Sequence, residues 1–535
     1  MMNLRIKDII ISIMKQFTIL FACWLVSIPA LADKMTGPAV TGKPYQTPAQ
    51  AKSINQDQSI NQIPSSNQGR STNIESSLPD LGDISQTVLS PQDEQRIAEQ
   101  ILREVVISND VLQDIEVTDY LQNLGNRLGA ASFDSQQKFH FFVVQDNSIN
   151  AFAMPGGVIG VHTGLVLASN SESELASVLG HEIGHVTQHH LARMLASQKY
   201  DTFKNIAGIA LALLVARANP ELASGALTTA TAAGVARQLD YTREHEREAD
   251  RVGLTILDAA GFDTRAMPAF FTTLQRGTRF IDGAAPSFLR THPLTAERIA
   301  DVSNRVENTP YKQVSSSQEF YLVKAKLRAM TGFAQSAIEQ FRDNIREYRF
   351  ADETAEHYGL AIALLRKNDF AGAANQLKWL QANGQKNVFI ENLNARIAVA
   401  SNNPAAAATQ YTKALTSYPL NRALIYGYAE HFLAINQPDK AIILIGEKQK
   451  RYPNDAYFYQ MLAKAYAAKS KNMLRFQAQG EAYYRQFNVD KAIEQFEFAA
   501  KAKDGNFYEQ SIVEARLKEL KRLQDNEKLA DKRLN

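Results

Sequence analysis

Two histidines four residues apart, with a glutamate between them, are the clearest sign of chemistry in this chain. They form the run His181-Glu182-Ile183-Gly184-His185, inside a segment with a helical pattern, Glu174–Ala196. Because residues i and i+4 share one face of a helix, both imidazoles can bind one Zn²⁺. Glu182 would then face a water molecule on that ion, as the general base does in zinc metallopeptidases.

A catalytic zinc site needs a third protein ligand, and a second run of charged residues offers one. Glu246 and Asp250 are again four residues apart, in a helix predicted over Tyr241–Ala260. Glu246 can bind the metal, and Asp250 can accept the spare N–H of a ligand histidine and so fix its tautomer. Taken alone, the charged run Thr242–Arg251 is more simply interpreted as a solvated helix face. Its position after the first motif favours the metal site.

Three histidines next to these motifs receive an ordinary interpretation. His189 lies about 12 Å along a helix axis from His181, so one ion cannot bind both. His189 and His190 are therefore predicted to be surface residues. His245 adjoins Glu246 and is predicted to point to a different side of its helix.

His292 lies in the segment Ser287–Leu294, immediately before Pro293. Proline disfavours helical backbone at the residue before it, so an extended segment is predicted here. From such a segment an imidazole can enter a cleft as a fourth ligand or as a donor to the transition state. On chemistry alone, a structural or surface role is slightly favoured.

The motifs occur in the order known from one peptidase family. His181-Glu182-x-x-His185, then Glu246-x-x-Ala249-Asp250, then Thr291-His292-Pro293-Leu294 resemble the gluzincin family that includes the CAAX prenyl endopeptidases and the heat-shock membrane protease HtpX. The resemblance extends to Asn150-Ala151-Phe152-Ala153 and Gly261-Phe262-Asp263. It covers roughly residues 78–525.

The resemblance implies a role for each site residue. His181, His185 and Glu246 would bind one Zn²⁺ per chain, and Glu182 would be the general base. His292 would lie on a loop that covers the metal and can occupy its open position. With an export signal and a C-terminal repeat domain, the chain also resembles the periplasmic members of the family that assist the assembly of outer-membrane β-barrels.

The chain has 535 residues, which exceeds one ordinary domain. Its net charge is +2, from 58 basic and 56 acidic residues. Nucleic-acid binding would need a concentrated basic face, so no nucleic-acid partner is predicted. Beyond the N-terminus, no apolar run is long enough to span a membrane.

The N-terminus has the pattern of an export signal. Lys15 precedes the apolar run Phe17–Ile28, and Ala30-Leu31-Ala32 provides a small-x-small site that places cleavage before Asp33. A signal peptide is therefore predicted at residues 1–32, with the mature protein in the periplasm.

Three alternatives at the N-terminus stay open. Translation could begin at Met14, the signal could remain as an uncleaved anchor, or Cys23 could be a lipoprotein cysteine. Cys23 is the single cysteine of the chain. The mature chain would then have no disulfide, and its zinc would be bound by nitrogen and oxygen ligands only.

The predicted fold class is mostly α with a small β-sheet. A flexible tether (33–77), poor in large apolar residues, leads to a zincin-type metallopeptidase domain (78–310) and then to an α-solenoid of tetratricopeptide-like repeats (316–525). We call the predicted helix that carries His181 and His185 the metal helix. The predicted elements before it are two helices and three strands: Asp93–Val106, Val117–Leu128, Phe139–Gln145, Asn150–Met154 and Val158–His162. Pro155-Gly156-Gly157 is a predicted turn.

Two segments of the peptidase domain leave alternatives. A strand before the metal helix can pair with an extended substrate, or it can be interior or capped. Phe203–Gln238 is rich in alanine, leucine and glycine, which predicts a packed helical hairpin; a peripheral contact with a membrane or partner is left open.

A repeat is visible in the C-terminal part. Ala373, Ala407 and Ala441 are 34 residues apart (407 − 373, 441 − 407), the period of the tetratricopeptide repeat. Ala337 and Ala492 resemble further copies, but the 51-residue step from Ala441 to Ala492 interrupts the period. Such arrays bury their apolar faces by stacking and usually hold a protein partner.

We therefore predict a gated zinc endopeptidase that acts in the assembly and quality control of outer-membrane β-barrel proteins. Its predicted partners are β-barrel precursors, their assembly machinery and misfolded substrates. The alternative is a non-catalytic repeat scaffold or chaperone with a structural zinc site. Glu182 argues against that alternative, because a structural site needs no base.

Overall fold

The computed structural model describes residues 90–134, 137–197, 243–280, 287–307, 309–310, 312–384 and 386–533. These residues belong to one compact unit, Pro79–Asn535. The predicted signal peptide, the tether and the apolar segment Phe203–Gln238 lie outside the described residues. Among the described helices, none has the length and apolar composition that crossing a membrane requires.

The first part of the described chain combines helices with one small sheet, as predicted. Its helices are α1 Pro91–Ile107, α2 Ile115–Ala130, α3 Thr163–Ala168, α4 Glu172–Thr187, α5 His190–Ser197, α6 Arg243–Ala259, α7 Ala266–Phe280, α8 Ser287–Thr291 and α9 Ala296–Glu307. Its strands are β1 His140–Val144, β2 Ala151–Met154 and β3 Val158–His162.

The sheet has the order β1-β3-β2, with β1 parallel and β2 antiparallel to β3. All three predicted strands are confirmed, and the predicted Pro-Gly-Gly turn is a short 3₁₀ helix, Pro155–Gly157. Strand β2 is therefore an edge strand of this sheet. Its four residues are all buried, and the strand packs against α4. The outer backbone edge of β2 has no neighbouring strand among the described residues.

The metal helix is shorter than the sequence pattern predicts. The predicted segment Glu174–Ala196 divides into α4 and α5, because the backbone at His189 takes a left-handed φ of 49°. Histidine tolerates this region better than most residues other than glycine. The break turns α5 back towards the ligand residues, and this changes the position of His190.

The two ligand helices, α4 and α6, approach with almost no side chain between them. A Cβ placed on Gly184 would lie 3.0 Å from the carbonyl oxygen of Ala249, and one on Gly253 would lie 3.0 Å from the backbone nitrogen of His181. Contacts this short are tighter than nearly all real Cβ contacts, so a larger residue would require the facing backbone to shift. Glycine therefore allows the two backbones to bring their ligands to one point.

Replacing Gly253 with valine should destabilise the protein by about 1–3 kcal/mol, because the new side chain meets backbone that cannot move aside. Thermal unfolding measures the change. The matched control is Gly446→Val, on a helix where an added Cβ has no described atom within 4 Å. Equal melting temperatures for the two variants would contradict the tight contact.

The second part of the chain is a series of paired helices. They are α10 Gln318–Met330, α11 Ala334–Arg346, α12 Glu353–Arg366, α13 Phe370–Ala382, α14 Val388–Ala400, α15 Pro404–Ser417, α16 Arg422–Ala434, α17 Pro438–Gln449, α18 Ala456–Ala468, α19 Asn472–Arg485, α20 Val489–Lys501 and α21 Phe507–Arg533. The predicted mostly helical fold with a helical repeat array is confirmed.

The 34-residue period also appears in the turns. One residue per repeat takes a left-handed φ of 52–62°, and these residues are 34 apart: Asn368, Asn402, Asn436 and Ser470. The repeat alanines predicted from sequence, Ala373, Ala407 and Ala441, are fully buried. Because α13, α15, α17 and α19 begin 34 residues apart, the period continues past Ala441, and Ala492 lies in α20, half a repeat further on.

The repeats pack on the peptidase part of the chain. The Lys326 ammonium of α10 bonds to Asp114 at 2.8 Å and to Glu116, and Arg422 of α16 pairs with Asp119. A second contact lies at the start of the metal helix, where Glu172 accepts hydrogen bonds from Ser317 and donates its backbone N–H to the Ser316 hydroxyl at 2.9 Å. The array is therefore attached to both α2 and α4.

Candidate metal centre

All six side chains that the sequence singles out for the site are buried and lie together. α4 provides His181, Glu182 and His185, α6 provides Glu246 and Asp250, and the residue after α8 is His292. Ligand atoms from four of them lie within 4.8 Å of one another: His181, His185, Glu246 and His292. The segments that carry them are up to 111 residues apart in the chain, from His181 to His292.

The three predicted metal ligands present their donor atoms to one point. The Nε2 atoms of His181 and His185 are 3.0 Å apart. Glu246 carboxylate oxygens lie 3.5 Å from His181 Nε2 and 3.4 Å from His185 Nε2. Ligand atoms on a tetrahedral Zn²⁺ with bonds of about 2.0–2.1 Å are separated by about 3.3–3.4 Å, so this set fits such an ion.

His292 lies at the centre and not on the surface. It is fully buried, its Nδ1 is 2.9 Å from Glu246 Oε1 and 3.4 Å from His181 Nε2, and its ring stacks on Phe288. Its Nε2 is 3.5 Å from Glu182 Oε1. The surface position allowed by the chemistry alone is wrong, whereas a structural role is compatible with this burial. The position that the family resemblance implies agrees with this geometry.

Asp250 accepts a hydrogen bond from His181 Nδ1 at 2.9 Å, so the Nε2 of His181 faces the ligand cluster. Its carboxylate is also held by Arg298, at 2.7 and 2.8 Å. The same guanidinium contacts Glu246 at 2.7 Å and donates to the Pro293 carbonyl at 2.9 Å. Arg298 thus joins α9, the Glu246 and Asp250 carboxylates of α6 and the His292 loop.

Sequence reasoning missed Arg298. It lies in the first turn of α9, where a positive charge is unfavourable beside the helix N-terminus. That misplaced charge was the available signal. Its two carboxylate partners, which are 48 and more residues away, compensate for it.

The prediction that His190 is a surface residue is wrong. Its side chain is fully buried, its Nδ1 is 2.9 Å from His185 Nδ1, and its Nε2 is 3.0 Å from Glu248 Oε2. The turn at His189 is the physical reason, because it brings the first residue of α5 under the metal helix. His189 itself is partly exposed and lies 3.5 Å from Glu94. His245 stacks on His190 with ring centroids 4.5 Å apart.

Acidic charge dominates the centre. Glu182, Glu246 and Asp250 oppose a single guanidinium, Arg298, so neutral imidazoles would leave two buried negative charges uncompensated. A buried charge without a partner is costly, and a divalent cation would balance this pair. Neither carboxylate oxygen of Glu182 accepts a hydrogen bond from a described residue, which leaves both available to a water or substrate.

The two ligand histidines differ in basicity. Burial lowers the pKa of His181, but its hydrogen bonds to Asp250 and Glu246 outweigh burial and raise that pKa to about 9. Burial lowers the pKa of His185 to about 3, and the hydrogen bond to Glu246 offsets only part of that effect. Because a metal binds deprotonated imidazole nitrogen, binding at His181 requires the release of a proton.

The edge strand β2 lies beside this centre. Ala153 and Met154 line a small cavity together with His185. Asn150, directly before β2, is buried, and neither atom of its side-chain amide has a hydrogen-bond partner among the described residues.

The fold and this site together define a metallopeptidase of the His-Glu-x-x-His class joined to a helical repeat array. The model of peptidase family M48 matches residues 116–306, and a tetratricopeptide-repeat model matches residues 398–465. Both matches agree with the two parts of the fold.

Whole-chain comparisons are more specific. The chain is 31% identical over 450 residues to the β-barrel assembly-enhancing protease of Yersinia pestis, covering 84% of this chain and 92% of that protein. It is 31% identical over 455 residues to the protein of that name in Escherichia coli K12, with the same coverage. It is 33% identical over 445 residues to a putative member from Vibrio cholerae, covering 83% and 92%. The chain belongs to the family of β-barrel assembly-enhancing proteases.

Proposed function

We propose that this metallopeptidase is a zinc endopeptidase of the periplasm that acts in the assembly and quality control of outer-membrane β-barrel proteins. The observation that carries the proposal is the convergence of His181, His185 and Glu246 beside Glu182. Two imidazoles and one carboxylate in a tetrahedral arrangement are typical of catalytic zinc. The compartment is supported by the export-signal pattern of residues 1–32 and by the names of the relatives.

Each site residue has a proposed role. A bound Zn²⁺ would supply a Lewis acid that polarises the scissile carbonyl and acidifies water. Glu182 takes a proton from the attacking water and returns it to the leaving amine. Its buried, unbonded carboxylate supports this role and speaks against a purely structural site. Asp250 and Arg298 hold His181 and Glu246 in place.

The substrate is proposed to bind as an extended chain along β2. Backbone hydrogen bonds to an edge strand are independent of side-chain sequence, which suits a protease that meets many unfolded precursors. Asn150 adds an amide that can pair with the substrate backbone. The alternative of an interior strand is not favoured, since β2 has a single strand neighbour in the described part of the chain.

The repeat array is proposed to hold β-barrel precursors or their assembly machinery. Between the array and α2 lies a cavity of about 800 Å³ whose walls include Leu365, Tyr411, Tyr426 and Tyr457. The walls also carry charged side chains, among them Arg396 and Glu430, and this mixture of apolar and charged groups suits a segment of a protein partner. In this proposal the array delivers precursors to the gated protease, so one chain both holds and degrades them. The proposal requires no peripheral contact with a membrane.

Metal removal tests the function directly. The purified mature chain should contain about one zinc per molecule by mass spectrometry and should cleave an unfolded outer-membrane β-barrel precursor. A strong chelator should abolish cleavage, and Zn²⁺ should restore it whereas Mg²⁺ should not, because nitrogen ligands favour zinc. Full cleavage by a chain from which all zinc has been removed would contradict the proposal.

His292→Ala is expected to raise proteolysis. His292 Nδ1 lies 2.9 Å from Glu246 Oε1 and 3.4 Å from His181 Nε2, which supports its proposed place at the position that a catalytic site keeps for water and substrate. Removing this imidazole should open that position and increase the initial rate of precursor cleavage by about tenfold or more, if the loop is the gate. A lower rate at unchanged zinc content would instead assign His292 a role as transition-state donor. Arg290→Ala, which truncates an exposed residue of α8 two positions before His292, is the control.

A further inference from the structure

We propose that His190 is a positioning residue that fixes the tautomer of the ligand His185. The inference rests on the proposed zinc site and concerns a residue that the mechanism does not use. His190 lies on α5, outside the ligand cluster, and its side chain is fully buried. Its two ring nitrogens connect His185 to Glu248 of α6.

The contacts form a chain of alternating donors and acceptors. His185 Nδ1 and His190 Nδ1 are 2.9 Å apart, and His190 Nε2 is 3.0 Å from Glu248 Oε2. The Arg193 guanidinium donates to the same carboxylate oxygen at 2.9 Å. One end of the chain is thus a metal ligand, and the other is an ion pair at the surface.

The Glu248 carboxylate at the outer end of this chain of contacts determines which ring nitrogen of each histidine carries the proton. An ionised glutamate only accepts hydrogen bonds, so His190 carries its proton on Nε2 and presents a lone pair at Nδ1. His185 must then donate from its own Nδ1, which leaves the lone pair of its Nε2 facing the ligand cluster. The opposite tautomer would turn two lone pairs towards each other across 2.9 Å and place a proton where the metal binds.

The orientation of the His190 ring is also fixed. His245 stacks on it with ring centroids 4.5 Å apart and planes 19° from parallel. His245, Glu246 and Glu248 all belong to α6, so one helix supplies a ligand, the stacking ring and the terminal carboxylate. Replacing His190 should therefore change the orientation of the His185 ring more than it changes α6.

The two ligand imidazoles are supported in related ways. His181 donates directly to Asp250, which is paired with Arg298 deep in the protein. His185 reaches its carboxylate–arginine pair through an intervening imidazole, and that pair is 38% exposed. Outer partners of this kind typically contribute 10–100-fold to metal affinity, and solvent weakens the exposed ion pair. The effect should therefore be concentrated at His190.

The test uses two variants of the full mature chain and measures zinc dissociation constants by competition with a chromophoric chelator. His190→Leu removes the acceptor and should weaken zinc binding by about 10–100-fold. His190→Asn keeps an oxygen near the position of Nδ1 and should lose less than about tenfold. The control is His189→Asn, because asparagine tolerates the left-handed backbone there, and its zinc affinity should not change.

A second measurement separates positioning from folding. The melting temperatures of the zinc-depleted His190→Leu and His190→Asn chains should be similar, so that the difference between them appears only in zinc affinity. If both variants bind zinc as tightly as the unchanged chain, or lose affinity equally, the positioning role is wrong. If the unchanged chain binds no zinc at all, the proposed zinc site fails and not this inference alone.

Discussion

Glu182→Gln is expected to lower the rate of precursor cleavage by about 10²–10⁴-fold while the protein keeps one zinc per chain. Glutamine preserves the volume of the side chain but cannot accept a proton from water. Glu182 makes no hydrogen bond to a described residue, so the substitution breaks no hydrogen bond within the described part of the chain. Its Oε1 lies 3.5 Å from His292 Nε2.

Initial rates and zinc content, measured on the same preparation, check this prediction. Glu174→Gln is the matched control, because Glu174 is buried in the same helix, about 10 Å or more along the axis from the ligands. Its glutamine can still accept the hydrogen bond from the backbone of Asn170. A Glu182→Gln chain that cleaves at the unchanged rate would remove the general base from the mechanism.

The same variant separates the two roles of the chain in cells. If delivery by the repeats were the whole function, Glu182→Gln would fully restore a strain that lacks the protein. Partial restoration is expected for a protein that both holds and degrades precursors. Full restoration would make proteolysis dispensable and would favour the scaffold.

Glu246→Ala is expected to lose zinc and, with it, all proteolysis. It removes one of three ligands, so the loss of affinity should exceed the 10–100-fold that outer partners contribute. The folded chain should persist without zinc, because Arg298 keeps two hydrogen bonds to Asp250. The alanine also removes one of three buried negative charges.

Zinc content by mass spectrometry and the melting temperature are the measurements. Glu244→Ala, which truncates an exposed glutamate of the same helix, is the control and should keep both zinc and activity. If Glu246→Ala retains one zinc per chain, the third ligand has been assigned to the wrong residue. The carboxylate arrangement would then need another explanation.

Local spacing predicted the residues that share an element. His181 and His185 follow from the helical repeat, and so do Glu246 and Asp250, since i and i+4 share a face whatever surrounds the helix. The strands were predicted for the same reason: alternation and turn residues are local signals. The convergence of the two helices was not local. It depends on Gly184 and Gly253, whose role appears only when the backbones meet.

Two functional residues that the sequence did not predict were missed for one reason. His190 and Arg298 were not predicted because each acts through a partner on another segment, and no spacing within its own helix indicates that partner. His190 was further hidden by an apolar pattern that continues through the break at His189. Ala492 was misinterpreted for a different reason, because its 51-residue offset from Ala441 equals one and a half repeat periods and looked irregular. The helix starts show that it belongs to the other helix of a repeat whose period persists.

The contact between Glu172 and the two serines before α10 has a mechanical consequence. The first residue of the helix that carries both ligand imidazoles is tied to the first cap of the array. A partner bound to the array, as proposed, would therefore exert force at the N-terminus of α4. Helix α4 would transmit that force to His181 and His185 in the candidate metal centre.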